Sequence, residues 1–359
     1  MNTITDLAQG FGAEDISSDA MRNAVKGWFD GYYGGGLLKL PYTIVRKLVR
    51  AMFAEYTPSG EALRSIPARK AMELALIGGE SFLKPVYLDG WHWQAIGRNA
   101  ILVFARDWFG EPTDVGLTEQ RQSGRFVYTL LERRQLRDGV LTVTNRLFRS
   151  GSRGQLGREV SLTACDAFKE LPETFVYPGT FRTVGLVRVK PPMTNTIDGS
   201  REGISIYAPA MELMEALEEN EAQLRTEFSN GQSRLVVSRD MLRDGQLKDD
   251  LFVALDDAPE TVGITVFSPQ LRQESFLRRQ QAYLRMVENI IGLKRGLLGE
   301  VEAVDRTATE ITSSEGEYMT TILDLQQCFE EAAVECVKLL RQLGAPQESC
   351  SISWGDGVV

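Results

Sequence analysis

The sequence predicts an α+β protein in which long helices flank a small strand-rich insert. Three observations carry this expectation. Hydrophobic spacing is helical over residues 1–80 and turns strand-like over 81–190. It becomes helical again over Gly203–Phe228 and from Pro269 to about Ile291, on either side of a short segment rich in turn signals. A capped helical run then extends from Thr307 to Leu343.

The first helix carries Met21, Val25, Trp28 and Phe29 at helical spacing, and Gly34-Gly35-Gly36 breaks it. Pro41 opens a second helix with Ile44, Leu48, Met52 and Phe53 on its apolar side. A third runs from about Gly60 to Ile77, with a kink or break at Pro67, and stops at Gly78-Gly79. In the strand-rich part, Asp89-Gly90 and Asp138-Gly139 each separate two β-prone runs, which predicts two hairpins. Eleven arginines against six acids lie from Arg98 to Arg158, read either as a solvated sheet face or as an anion- or partner-facing surface.

The helix over 203–228 places Leu213, Leu217, Leu224 and Phe228 on one stripe and is strongly acidic, with Glu212, Glu215 and Glu219 among its six glutamates. The insert holds three short strand candidates, Arg234–Val237, Leu251–Leu255 and Gly263–Phe267. The helix after Pro269 is basic, carrying Arg272, Arg278, Arg279 and Arg285. Its opposite sign lets neighbouring copies pair the two helices. Gly292, Gly296 and Gly299 mark a loop that carries Lys294 and Arg295. Thr307 and Glu310 form a capping box for the last helix, Gly344 and Pro346 stop it, and Ser351–Trp354 reads as a final strand.

Composition bounds the function. The 359 residues are 43% hydrophobic and 25% charged, with a net charge of −9. No apolar run approaches the ~20 residues of a membrane helix. The N-terminus lacks a secretory pattern, so folding in the cytoplasm is expected. There is one histidine, His92, and four cysteines with no CxxC pair, so neither a metal nor another cofactor is expected. Phosphate-loop, zincin and nucleophile-elbow motifs are absent from the sequence, so no catalytic residue is assigned. An acidic chain either does not meet nucleic acid or meets it on a surface that does not grip it.

Asn195-Thr196-Ile197-Asp198 and Gly203-Ile204-Ser205-Ile206-Tyr207-Ala208 resemble the approach to the first stem helix in portal proteins of long-tailed phages infecting Gram-positive bacteria. Phe267-Ser268-Pro269-Gln270-Leu271-Arg272 resembles the entry to their second stem helix, and Thr307-Ala308-Thr309-Glu310-Ile311 the helix after their tunnel loop. The order and spacing match over nearly the whole chain. The resemblance implies a portal-type fold: a mixed wing (1–203), stem helices at 204–229 and 269–291, a small α/β clip (230–268), a tunnel loop (292–305), and a long helix with a return strand to the wing (306–359). It further implies a ring, usually of twelve subunits, at one capsid vertex of the virion, assembled in the host cytoplasm.

Double-stranded DNA would pass through its bore during packaging and ejection. Terminase and later a head–tail adaptor would dock on the clip, where Arg243, Asp244, Lys248, Asp249 and Asp250 are the candidates. The major capsid and scaffolding proteins would surround it, and no membrane is involved. Lys294, Arg295, Gly296 and Gly299 would lie nearest DNA, with the stem glutamates and arginines at the channel or between subunits. The family generally continues into a helical crown, and a missing or short crown is expected here. The competing expectations are a carboxylate-dependent hydrolase with an acidic cleft and a monomeric structural adaptor.

Overall fold

The computed structural model describes residues 4–153, 155–231, 234–238, 252–255, 265–267, 270–300 and 308–355. They fall into two units, one formed by 1–209 with 307–359 and the other by 210–306.

The first unit opens with α1 (Ile4–Phe11) and α2 (Asp19–Gly34). The Ser18 hydroxyl accepts from Met21 N and caps α2, whose Met21, Val25, Trp28 and Phe29 are buried at the predicted spacing. α3 (Leu40–Met52) carries Pro41 in its first turn. Next come β1 (Thr57–Ser59), α4 (Glu61–Arg64) and α5 (Ala68–Gly78). Of the kink or break expected at Pro67 in the helical stretch 60–77, the structure shows the break. Pro67 sits at the start of α5, where its missing N–H costs nothing.

The hairpin β2 (Ser81–Tyr87)–β3 (Trp91–Gly97) turns at Asp89-Gly90 as expected. The main sheet contains β4 (Ile101–Arg106), β5 (Pro112–Ser123), β6 (Phe126–Arg137), β7 (Val140–Ser150) and β8 (Arg158–Val160) in chain order. β9 (Thr174–Val176) joins β7 further along the same edge. β10 (Val187–Val189) returns to pair with β2, giving a second sheet in the order β10-β2-β3.

β6 is buried on both faces. Tyr128 and Leu130 pack with Leu147, Leu162, Cys165 and Phe168 on one face, while Leu131 packs with Phe11, Leu102, Phe104 and Phe148 on the other. This explains the apolar run from Phe126 to Leu131, which Thr129 alone interrupts.

In the second unit, α6 (Met211–Asn230) and α7 (Gln273–Ile291) lie on either side of a three-stranded sheet in sequence. That sheet consists of β11 (Arg234–Ser238), β12 (Phe252–Leu255) and β13 (Thr265–Phe267). β11 is central, parallel to β12 and antiparallel to β13.

The chain re-enters the first unit with α8 (Ala308–Gln342) and ends on β14 (Ser351–Ser353), which pairs with β1. Phe329 and Trp354 meet Phe53 and Tyr56 there. The side chains of the Thr307–Glu310 capping box lie outside the described residues.

The helix expected from Gly203 begins only at Met211. Ile204, Ser205, Ile206 and Tyr207 are instead core residues of the first unit. Ile206 N and the Ser205 hydroxyl both donate to Leu76 O, and the Tyr207 hydroxyl donates to Trp28 O. Gly79 and Gly203 touch backbone to backbone at this crossing. A Cβ on Gly79 would lie 2.2 Å from the Gly203 carbonyl carbon, and its φ of 81° also suits only glycine.

Candidate functional site

The expected channel and intersubunit residues all lie in the second unit. Its scaffold is the α6–α7 pair. Met214, Leu217 and Leu224 of α6 are buried, as are Phe276, Leu284, Val287 and Ile291 of α7. Leu217 and Leu224 sit on the predicted stripe. Leu213 is half-buried and Phe228 exposed, because Met214 and Asn220 turn the buried face by part of a turn.

Asn220 is a polar pin within this apolar seam. Its Nδ2 donates to Phe276 O at 3.2 Å, and its Oδ1 accepts from Arg279 Nε at 2.6 Å. Arg279 Nη2 also donates to Gln223 Oε1 at 2.8 Å. Arg272 grips Glu227 through Nη2 at 2.7 Å and Nε at 3.1 Å, and its backbone N–H donates to the same carboxylate. These hydrogen bonds hold the Glu227 carboxyl below its ordinary range and raise Arg272.

Helical spacing therefore divides the four arginines. Arg272 and Arg279, seven residues apart, close the chain's own helix pair. Arg278 and Arg285 project from another side of α7. Glu212, Glu215 and Glu219 lie on the face of α6 turned away from its apolar stripe, and all three are exposed.

Beyond α7 the loop is built around one buried acid. Glu288 is 2% exposed, and its carboxylate accepts from Leu298 N at 2.6 Å, Gly296 N at 3.0 Å and Gly299 N at 3.2 Å. Gln281 Oε1 takes Glu300 N, and Leu293 N donates to Glu288 O. Gly292 and Gly296 adopt φ of 72° and 84°, which lets the backbone fold over the carboxylate. Lys294 and Arg295 are exposed on the outside of this wrap.

Glu288 was not singled out from sequence. Its signal was an acid on the buried stripe of α7, four residues before the first glycine of the loop. Residues 301–305 of the loop lie outside the described residues. So do the clip candidates Arg243, Asp244, Lys248, Asp249 and Asp250.

In the first unit, many of the sheet arginines turn inward. Glu80 has no solvent exposure and receives Arg188 at 2.6 Å, Arg98 at 3.1 Å and Arg106 at 3.1 Å. Burial alone would raise the Glu80 pKa. Arg188, Arg106 and Arg98 outweigh it and bring the value down to about 2. Glu132, between Arg134 and Lys84, is held at about 2 by the same balance. Arg133 clasps Asp114, and Arg146 clasps Glu159. The arginine-rich stretch is thus not one uniform solvated face.

His92 is exposed beside Asp89. Cys336 is fully buried on α8, and the Cys328 thiol donates to Lys190 O. Among the described residues no three His, Cys, Asp or Glu side chains are grouped so as to hold a metal ion.

No protein-family model matches this chain, and no curated protein matches it. Solved structures do. One is a chain from the neck of a native GTA (gene transfer agent) particle, a phage-like assembly whose reconstruction was computed with C12 symmetry. The two share 14% sequence identity with a TM-score of 0.53, over 96% of this chain and 88% of that one. At that identity the likeness is one of fold: a mixed α+β architecture shared with a phage-like particle neck.

Proposed function

We propose that this chain is a structural subunit of a phage-like virion: a portal-type ring that conducts double-stranded DNA during packaging and ejection. Its insert would dock terminase and then a head–tail adaptor. The observation that carries the reading is the end-to-end correspondence with a neck chain of a twelvefold particle.

The helix pair supports it. A ring closes by head-to-tail contacts, so each copy needs two different complementary faces. Arg278, exposed on the outer side of α7, is a candidate for one of these faces, and the outward acidic row of α6 is a candidate for the wall of the bore. The loop supports it as well, because Glu288 pre-forms the backbone that displays Lys294 and Arg295. Two cations on a fixed loop touch a passing phosphate backbone briefly, whereas an extended basic wall would hold it.

Solution mass and negative-stain microscopy of the purified chain test the proposal. Twelve copies of 40.0 kDa give about 480 kDa, and the expected image is an annulus with a central opening. A strict monomer at every salt and protein concentration, with no annulus on the grid, would overturn it.

A further inference from the structure

One group of arginines enters none of the inward pairs. Strand register places Arg121 of β5, Tyr128 of β6, Arg149 of β7 and Arg158 of β8 in a single cross-strand row. Arg125 occupies the β5–β6 turn beside this row, and Arg153 the loop from β7 to β8. Arg121, Arg125, Arg153 and Arg158 are exposed, and Arg149 is half-buried.

Arg125 and Arg149 both stack on Phe126, with guanidinium carbons 4.9 and 4.6 Å from the ring centre. Phe126 itself packs on the buried cluster of Tyr128 and Leu130, so the platform beneath the two guanidiniums is anchored. Arg121 has one carboxylate, Glu119, at 2.7 Å in an exposed pair that holds it weakly. Arg125, Arg149, Arg153 and Arg158 have no ion pair among the described residues.

Five guanidiniums at one end of a sheet, in a chain of net charge −9, require an explanation. A purely solvated surface has no reason to exclude lysine, yet no lysine occurs between Lys84 and Lys169. The planar guanidinium fork matches phosphate bidentately and stacks on aromatic rings, which ammonium does not.

We propose that this end of the main sheet is a binding surface for the phosphate backbone of nucleic acid. With strands ~4.8 Å apart, the row from Arg121 to Arg158 spans roughly 14 Å. A duplex carries one charge per ~1.7 Å of axis, so about eight phosphates fall within that span. Contacts to the phosphate backbone carry no base information, so the binding proposed is independent of sequence. The assignment rests on the charge and geometry of the first unit and stands apart from ring formation.

The test is fluorescence anisotropy of the full chain with a labelled DNA duplex, titrated at several salt concentrations. Log affinity should fall linearly with log salt. In Arg125→Ala/Arg158→Ala that slope should become shallower by about two, close to one per lost phosphate contact. Arg125→Lys/Arg158→Lys should keep the slope and lose part of the affinity. Lys294→Ala/Arg295→Ala serves as the reference that retains the patch.

Both alanine sites are surface positions, and an unchanged melting midpoint and oligomer mass establish that folding and assembly are intact. An unchanged salt slope in the double alanine variant overturns the proposal. So does polyglutamate displacing the patch as effectively as DNA, which would assign the surface to an acidic polypeptide.

Discussion

Glu80 is a carboxylate without access to water, closed in by Arg98, Arg106 and Arg188. The three cations come from separate parts of the chain, and Arg98 also reaches Glu202 at 3.1 Å. The acid therefore ties the end of α5 to β4, to β10 and to the segment leading toward α6. Removing it leaves three guanidiniums in a buried site, and breaking such a cluster from one side costs about 3–5 kcal/mol. The same residue sets an acid limit on stability. Its folded pKa, about 2, lies below the ordinary 4.5. The stabilisation is fully present above pH 4.5, where the unfolded chain is also ionised. It is lost as pH falls toward 2, because the unfolded state takes up a proton that the folded state refuses. Glu132 adds a loss in the same window. Glu80→Gln should be less stable at neutral pH and should lose less of its remaining stability between pH 4.5 and 2. Melting midpoints by circular dichroism across that range check this, and parallel pH curves for the two proteins would contradict it.

At the scale of elements, α7 and the loop after it form one device, because a single carboxylate gathers three loop amides. Glu288→Ala removes the acceptor for Gly296, Leu298 and Gly299, and a buried donor left without a partner costs about 1–3 kcal/mol. Those amides should exchange hydrogen faster, most in Glu288→Ala and less in Glu288→Gln, which keeps one acceptor oxygen. Helix content should be retained in both. Exchange rates unchanged at the three sites would show that the loop is held by something else.

Neither this device nor the true start of α6 was legible in the sequence. Both depend on where a side chain is buried, not on local spacing. Ile204–Tyr207 fit a helical pattern, yet the backbone carbonyls of Leu76 and Trp28, far away in sequence, accept from Ile206 N and from the Ser205 and Tyr207 hydroxyls and draw the segment into the first unit. Ser351–Trp354 was legible as a strand returning to the first unit, but its partner β1 carried no local signal, and only the fold brings Pro58 opposite Ile352. What could be read was local. Pro41 opened α3, Pro67 separated two helices, and Asp89-Gly90 and Asp138-Gly139 closed two hairpins. The expected strands of the insert were found close to their predicted places, because β-prone runs bounded by turn residues signal themselves. The sheet arginines show the limit of composition. Counting gave their excess, but only the folded arrangement separates Arg98, Arg106, Arg133, Arg134 and Arg146, which face carboxylates, from the group around Phe126.

At the scale of the whole molecule, the proposed ring raises the question of how an acidic protein would handle a polyanion. In the proposed ring, Glu212, Glu215 and Glu219 recur on every copy, on the face of α6 opposite its buried stripe. A wall of this sign repels phosphate and leaves the duplex mobile, while brief contacts are left to Lys294 and Arg295. Replacing the three glutamates with lysine changes each copy from three negative to three positive charges on that face. These side chains are exposed and lie away from the apolar seam, so helix pairing should survive and rings should still assemble. Transport should then slow at low salt, because each phosphate contact adds a counterion-release term to binding. It should recover as salt rises, since exposed charges more than ~8–10 Å apart are screened near physiological ionic strength. The measurement is DNA packaged per particle over a salt series, with wild-type rings as reference. A deficit that persists equally at all salt concentrations points to a defect in assembly, and wild-type packaging at low salt places these glutamates away from the DNA path. Only a salt-reversible deficit is the signature of a wall that acts by repulsion.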